Sequence, residues 1–426
     1  MKKLPEISVR FNPDHERNFE RKPILNFSRL LLAAWMFSFV LVPAVSAKTY
    51  REEGIRIGGN EFKEVKGIRM GKARVKGGFS TQGQFDSNVY LTPKKGTKDY
   101  IFTLSPKVLM DLPFGIDERH LFQALYMGEG GLFCSQTSQN YMNERGAVNL
   151  NLRLPFGFFN TNDDFKDTTD RSGTEFTTRV HRLENTASAT MGVQHNKLSY
   201  EVNYTNFFKW YYKQQYKDLG YFENDFKGTV FYQLFPKTQA LIDYTFGLLD
   251  YYRNKSRNGY LNQVTTGLKG DLTGKTIGIA KAGFQARDYD VGKGYVGFVG
   301  ELGAITKFSE RTEVTLKYHT TPVESVANSG NYYTSNILSA QLDQKLMGHF
   351  SAMLRTSVAL DHYPQVDQGT DTKRRDWLFD ESIWLYYNIK NWGKIGIGYD
   401  FRRRASNIGS QSYTDNLVST RFDFVF

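Results

Sequence analysis

From Arg74 to Phe426 apolar and polar residues take turns, and no apolar stretch in that span is long enough to cross a membrane as a helix. Val75, Gly77, Phe79, Thr81, Gly83 and Phe85 alternate with Arg74, Lys76, Ser80, Gln82 and Gln84, and Leu104, Val108, Met110 and Leu112 alternate with Thr103, Ser105, Lys107 and Asp111. A period of two sends successive side chains to opposite faces of a strand, so each segment has one apolar and one polar face. A soluble sandwich would give the same alternation. Composition separates the two: Tyr and Phe are abundant (26 and 33), yet the mean hydropathy is −0.49, so apolar residues are dispersed among polar ones. Dispersal of this kind suits a transmembrane barrel, where lipid-facing and lumen-facing positions alternate.

One unbroken apolar run, Leu30 to Val42, precedes this region and is followed by Pro43 and Ala44-Val-Ser-Ala47. It falls short of the ~20 residues of a spanning helix. With a basic stretch before it and small residues after it, it reads as an export signal. The sequence therefore predicts a cleavable signal peptide at 1–47, a charged, Gly-rich periplasmic lead-in at 48–72 and an outer-membrane β-barrel at 73–426. Cys134 is the sole cysteine, so no intrachain disulfide can form. The net charge is +11, but basic and acidic residues are interleaved without a basic stripe, which argues against a nucleic-acid partner.

The connections between alternating segments fall into two classes that take turns. Gly115-Ile-Asp-Glu118, His195-Asn-Lys197, Phe235-Pro-Lys237 and Lys390-Asn-Trp-Gly393 are short and carry hairpin residues. Asp86 to Thr97, Cys134 to Asn140, Lys213 to Gly220 and Tyr363 to Arg374 are longer and polar. Short periplasmic turns and longer extracellular loops are the asymmetry expected of such barrels. Direct counting gives seventeen strands, one of them over 177–195, and an odd number does not close a bacterial single-chain barrel antiparallel. The segment ending at Pro155 and the one ending at the His195 turn both run inward, so an outgoing strand must lie between them. Phe158 to Asp167 is the candidate, followed by a polar loop from Thr168 to Thr174. The predicted fold is all-β: an antiparallel up-and-down transmembrane barrel of eighteen strands, with sixteen as the alternative.

The last strand places Phe422, Phe424 and Phe426 on one face, with Val418 behind them, and Ser419, Arg421 and Asp423 on the other. A terminal aromatic on an alternating strand predicts engagement by the barrel-insertion machinery of an outer membrane. Near the start of the barrel, Phe85-Asp-Ser-Asn-Val-Tyr-Leu-Thr-Pro93 is followed by Asp99-Tyr-Ile-Phe-Thr-Leu-Ser-Pro106 and Leu109-Met-Asp-Leu-Pro-Phe-Gly115. These segments resemble the opening of the family known as Putative beta-barrel porin 2, with Phe85 where a Tyr is usual. The resemblance implies an outer-membrane barrel, often linked to exopolysaccharide or capsule export components, and carries over no catalytic residues.

No catalytic, cofactor or metal constellation stands out. The histidines of the barrel are isolated, and no His-x-x-x-His or Cys-x-x-Cys spacing occurs among them. Asp361-His362 and His319 are the groups a barrel hydrolase would use, the weakest of the readings. Gly128-Glu-Gly-Gly131 suits a strand bulge better than a ligand loop. If the apolar faces point to lipid, the lumen is lined by both signs of charge, and such residues tune selectivity. Arg402, Arg404 and Arg421, with Asp400 and Asp423 beside them, form the candidate selectivity patch. The expected function is a passive channel or export conduit for polar solutes, polysaccharide among them. A non-conducting docking component of a polysaccharide-assembly system is the alternative.

Overall fold

The structure is a computed structural model that describes Phe62 and residues 65–326, 330–366 and 371–426. The expected signal peptide and most of the lead-in lie outside these residues. Strands follow one another with hardly any other structure: β1 (Ile68–Met70), β2 (Ala73–Asp86), β3 (Asp99–Phe114), β4 (His120–Phe133), β5 (Tyr141–Leu154), β6 (Gly157–Thr168), β7 (Arg182–His195), β8 (Leu198–Tyr211), β9 (Tyr221–Phe235) and β10 (Thr238–Tyr251). Then come β11 (Gly259–Asp271), β12 (Thr276–Tyr289), β13 (Tyr295–Lys307), β14 (Thr312–Glu324), β15 (Tyr332–Lys345), β16 (Phe350–Val366), β17 (Lys373–Ile389), β18 (Gly393–Ser406) and β19 (Tyr413–Val425). Of the nineteen, β1 only flanks β2; the other eighteen pair antiparallel with their neighbours in sequence, and β19 pairs with β2 to close the ring.

Closure depends on a close approach. The terminal residue exchanges backbone hydrogen bonds with Gly77: Phe426 N–H donates to Gly77 O (2.9 Å) and Gly77 N–H to Phe426 O (3.1 Å). A Cβ at Gly77 would stand 2.3 Å from the Phe426 ring, so glycine is what lets this aromatic lie across the seam. Register places Val418, Phe422 and Phe424 on the outer face with Phe79 and Phe85, and Leu417, Ser419, Arg421 and Asp423 on the lumen face. Across the seam Ser80 Oγ donates to Asp423 (2.5 Å) and Gln84 to Ser419 (3.1 Å), so the lumen face is stitched by polar pairs.

The strand supplied by parity alone is β6, and it stands where it was expected, pairing with β5 and β7 along its length. Two boundaries differ from the sequence reading. The segment over 177–195 becomes strand only at Arg182, because residues 177–181 belong to an inward loop in which Val180 is 0% exposed. The loop expected from Tyr363 to Arg374 is shorter. Tyr363 stacks on Tyr333 (4.9 Å between centroids) and Arg374 forms an ion pair with Asp376 (2.6 Å), so both packed side chains prolong β16 and β17.

At the short-turn end, Phe62 is 1% exposed and packs against the lumen-facing Leu109, Leu125, Ala147 and Val425. Its carbonyl accepts from Lys76 (3.1 Å), and the Lys107 ammonium lies 5.6 Å from its ring. Part of the lead-in thus covers an apolar patch inside the barrel.

Candidate functional site

The longest connection among the described residues, 169–181 between β6 and β7, folds into the lumen instead of standing above the rim. At its root Val180 N–H donates to Thr169 O (3.1 Å), and Arg179 lies over the Tyr141 ring (3.8 Å to the centroid). Arg171 donates to Thr177 O (3.0 Å) and to Val89 O (2.7 Å) in the β2–β3 connection. Burial, and after it the charges of Arg179 and Arg402, pull the Arg171 guanidinium below its usual pKa.

The tip reaches the opposite wall. Strands β15 and β16 lie nine strands round from β6 and β7, half the circumference of the ring. Thr174 Oγ1 donates to Asp361 on β16 (3.0 Å), lies 3.3 Å from the Tyr333 hydroxyl on β15, and its carbonyl accepts from Arg404 on β18 (2.6 Å). Glu175 accepts from Ser325 Oγ (2.8 Å) and Val326 N–H (2.6 Å) in the β14–β15 connection. On the near side Ser172 Oγ meets the Tyr211 hydroxyl (3.0 Å) and accepts from Lys209 (3.3 Å). The loop is therefore a bar across the pore, held at both ends.

The wall that receives it is built for the purpose. Glu324 accepts from Arg257 (3.2 Å), Arg287 (2.5 Å), Tyr251 (2.7 Å) and Tyr289 (2.7 Å), and Arg257 also donates to Ser325 O and Asn331 O. This fixes the segment that holds Glu175. Charges taken out of water are costly unless paired and hydrogen-bonded. Arg404, Asp361, Asp376 and Asp415 are each 1% exposed. Arg404 donates to Gln411 O and Thr174 O and stacks on Tyr413 (4.8 Å), Asp361 accepts from Ser335 and Thr174, and Asp376 holds Arg374. Beneath the loop a cavity of about 100 Å³ remains, bounded by Ser172, Glu175, Lys209, Tyr221 and Arg257.

The five residues of the candidate selectivity patch all face the lumen but do not form one group. Arg404 is a loop anchor. Arg402 lies 3.9 Å from Asp380, with its side chain 42% exposed, and Ser382 donates to Asp400. Arg421 pairs with Asp423 (2.8 Å) and lies opposite Gly396, while Arg404 lies opposite Tyr413. Eight residues of β19 thus separate them, roughly 25 Å at the rise of a strand. The hydrolase groups do not come together either: Asp361 points into the lumen and His362, paired with outward Arg375 and Thr334, points away. Among the described residues no group of three or more His, Cys, Asp or Glu side chains could hold a metal ion. The constriction loop went unread in the sequence, where it showed only as a polar stretch. Its signal is the length of the β6–β7 connection beside a wall rich in Tyr, Arg and acids.

Solved structures similar to this one include the outer membrane protein OpdK of Pseudomonas aeruginosa, with 10% identity over 83% of this chain and 99% of that one, and a TM-score of 0.46. OccAB3 of Acinetobacter baumannii has 11% identity over 83% and 99% (TM-score 0.43). The siderophore receptor PirA of P. aeruginosa has 9% over 84% and 81% (TM-score 0.41). At such values the likeness says nothing of substrates. No curated protein matches the sequence. What fixes kinship is the sequence itself: residues 63–424 match the family described as Putative beta-barrel porin 2, from the lead-in through every strand to within two residues of the end. The chain, a porin-like β-barrel whose lumen is crossed by its own loop, belongs to that family.

Proposed function

We propose that the protein is an outer-membrane channel for small polar solutes whose conductance is set by the loop 169–181. The carrying observation is the span of Thr174 and Glu175 from the β6–β7 root to β15, β16, β18 and the β14–β15 connection. Barrels of 16 to 18 strands can hold an aqueous lumen, and a bar across that lumen reduces it to a narrow opening. A polysaccharide would pass only with the loop withdrawn, so export of a polymer requires the Thr174 and Glu175 contacts to break. Planar-bilayer recording of refolded protein tests the reading. Small, stable current steps are expected from the wild type, and larger ones from a variant carrying Thr174→Ala and Glu175→Ala.

A second reading has one observation in its favour. Arg404 and Asp361 are 1% exposed where the loop's tip meets β18 and β16, so the loop closes tightly on that wall, as a non-conducting component of a polysaccharide-assembly system would require. Silence from both proteins in the same recording supports that docking role and overturns the channel.

A further inference from the structure

Strand register decides which charges of the wall meet the lumen and which meet lipid. Among the described residues, every lysine and arginine on the eighteen barrel strands faces the lumen except Lys373 and Arg375 on β17 and Arg403 on β18. The exceptions stand together at the long-loop end. Arg375 lies opposite His362, which also points outward, and Arg403 lies opposite Phe379 and Thr414. All three cations are exposed, and none forms an ion pair among the described residues. Neither Asp371, just before β17, nor Glu381, the single acid on the outer face of β16 to β19, pairs with them. On the other strands the outward charges near the long loops are acidic: Glu144 on β5, Asp167 on β6, Asp250 on β10 and Asp288 on β12. The first three of these are met locally, by Tyr126, His181 and Lys255.

The basic residues begin where the apolar wall ends. Trp377 precedes Arg375 on the same outward face, and Tyr399 and Tyr100 stand exposed on β18 and β3. Aromatic residues of this kind mark the membrane–water interface, where a lipid-facing arginine that is costly at the midplane becomes nearly free. At the same rim a groove of about 430 Å³ opens between the β2–β3 connection and the outer ends of β18 and β19, bounded by Lys95, Ser406, Thr414 and Arg403. Its volume falls within the ~300–1,000 Å³ of ordinary ligand pockets. Lys95 is exposed there and forms no ion pair among the described residues. Arg375 lies four residues beyond Phe379, the partner of Arg403, which is roughly 13 Å along a strand. The cations are thus spread more widely than a single phosphate.

We propose that this sector of the outer wall binds the phosphorylated sugar headgroup of a glycolipid in the outer leaflet of the membrane. Guanidinium groups take phosphate oxygens in paired hydrogen bonds, which suits Arg403 and Arg375, while the groove sets the Ser406 and Thr414 hydroxyls and the Lys95 ammonium beside them for the sugar. Below the cations, Ile397 and Tyr399 on β18 and Ile383 and Leu385 on β17 are exposed and give acyl chains an apolar wall to lie along. A soluble acidic partner would not reach Arg403, which is level with Phe379 on the lipid-facing side. The inference rests on the barrel's place in an outer membrane and not on its conducting, so a silent bilayer recording leaves it standing.

Titration of refolded protein in mild detergent with a fluorescent rough lipopolysaccharide, read by polarisation, tests it. Saturable binding is expected from the wild type. Arg375→Gln with Arg403→Gln should bind roughly thirtyfold more weakly, since each basic residue at an anionic lipid surface is worth about fivefold. Glu144→Gln with Asp288→Asn, elsewhere on the rim, should leave the affinity unchanged. Lipopolysaccharide stripped of its phosphates should bind the wild type as weakly as the intact lipid binds the double variant. That comparison needs no substitution, so it decides the matter if the double variant gives no heat-modifiable barrel on unboiled gels. A wild type that does not bind, an affinity untouched by the double change or by loss of the phosphates, or equal affinity for phosphatidylglycerol overturns the proposal.

Discussion

Arg404 shows how little of a side chain's role its direction decides. Alternation along β18 sends it to the lumen with Arg402, and an arginine in a wet lumen would attract anions. The structure instead packs it dry against Tyr413, with its donors on the Gln411 and Thr174 carbonyls. A buried acceptor that loses its partner costs about 1–3 kcal/mol, so Arg404→Leu should loosen the loop that carries Thr174. Single-channel conductance should rise in that variant while the reversal potential in a salt gradient moves little. An unchanged conductance would show that Thr174 is held by its other contacts alone. Facing was legible in the sequence for Arg402, Arg404, Arg421, Asp400 and Asp423. Which of them meet water was not, because that depends on a loop arriving from half the ring away.

Among the elements, β6 and the connection after it were the hardest to see and matter most. Phe158-Phe-Asn-Thr-Asn-Asp-Asp-Phe165 lacks clean alternation because both its faces carry polar residues, so only the need for an even strand count exposed it. Its successor loop was visible as polar residues, but its inward course is written in long-range partners: Tyr333, Asp361 and Arg404 are all over 150 residues away in sequence. Replacing 171–178 with a short Gly-Ser linker should therefore raise conductance several-fold. It should leave the barrel's thermal stability nearly intact, since the β6–β7 ladder from Gly157 to Arg182 is untouched. Loss of the gel shift would mean that the loop supports the wall as well as crossing the pore. The last strand makes the complementary case, since its facing aromatics were plain in the sequence. Its dependence on a glycine some 350 positions away was not. Gly77→Leu would force a Cβ into the Phe426 ring, and overpacking of this kind costs roughly 1–3 kcal/mol. A lower yield of heat-modifiable barrel after refolding is the expected outcome.

For the whole molecule, the balance of charge in the remaining lumen decides what enters. Many inward charges are neutralised at short range: Lys76 with Asp111 (2.9 Å), Arg145 with Asp164 (2.6 Å), and Arg421 with Asp423 (2.8 Å). On the wall facing the loop's root, Lys317 on β14 and Arg355 on β16 both point inward and are exposed, and neither forms an ion pair among the described residues; Arg355 donates only to neutral Gln341 and Met353. Glu301, Asp343 and Asp380 oppose them; Glu301 lies 3.4 Å from Lys281 and Asp380 3.9 Å from Arg402, while Asp343 accepts from Gln341 (2.7 Å) and forms no ion pair among the described residues. Lys317 and Arg355 outnumber Asp343, so the balance of unpaired charge among these residues is positive. A positive wall raises the local concentration of anions over about one Debye length, ~10 Å at 0.1 M salt and ~3 Å at 1 M. The channel should therefore show a mild anion preference that fades as salt is raised, and Lys317→Gln with Arg355→Gln should abolish it without changing conductance at 1 M salt. The Arg404→Leu variant should do the reverse, so the two together separate selectivity from constriction. A cation-selective wild type, or a preference unmoved by the Lys317 and Arg355 changes, would place the selective charge elsewhere in the lumen.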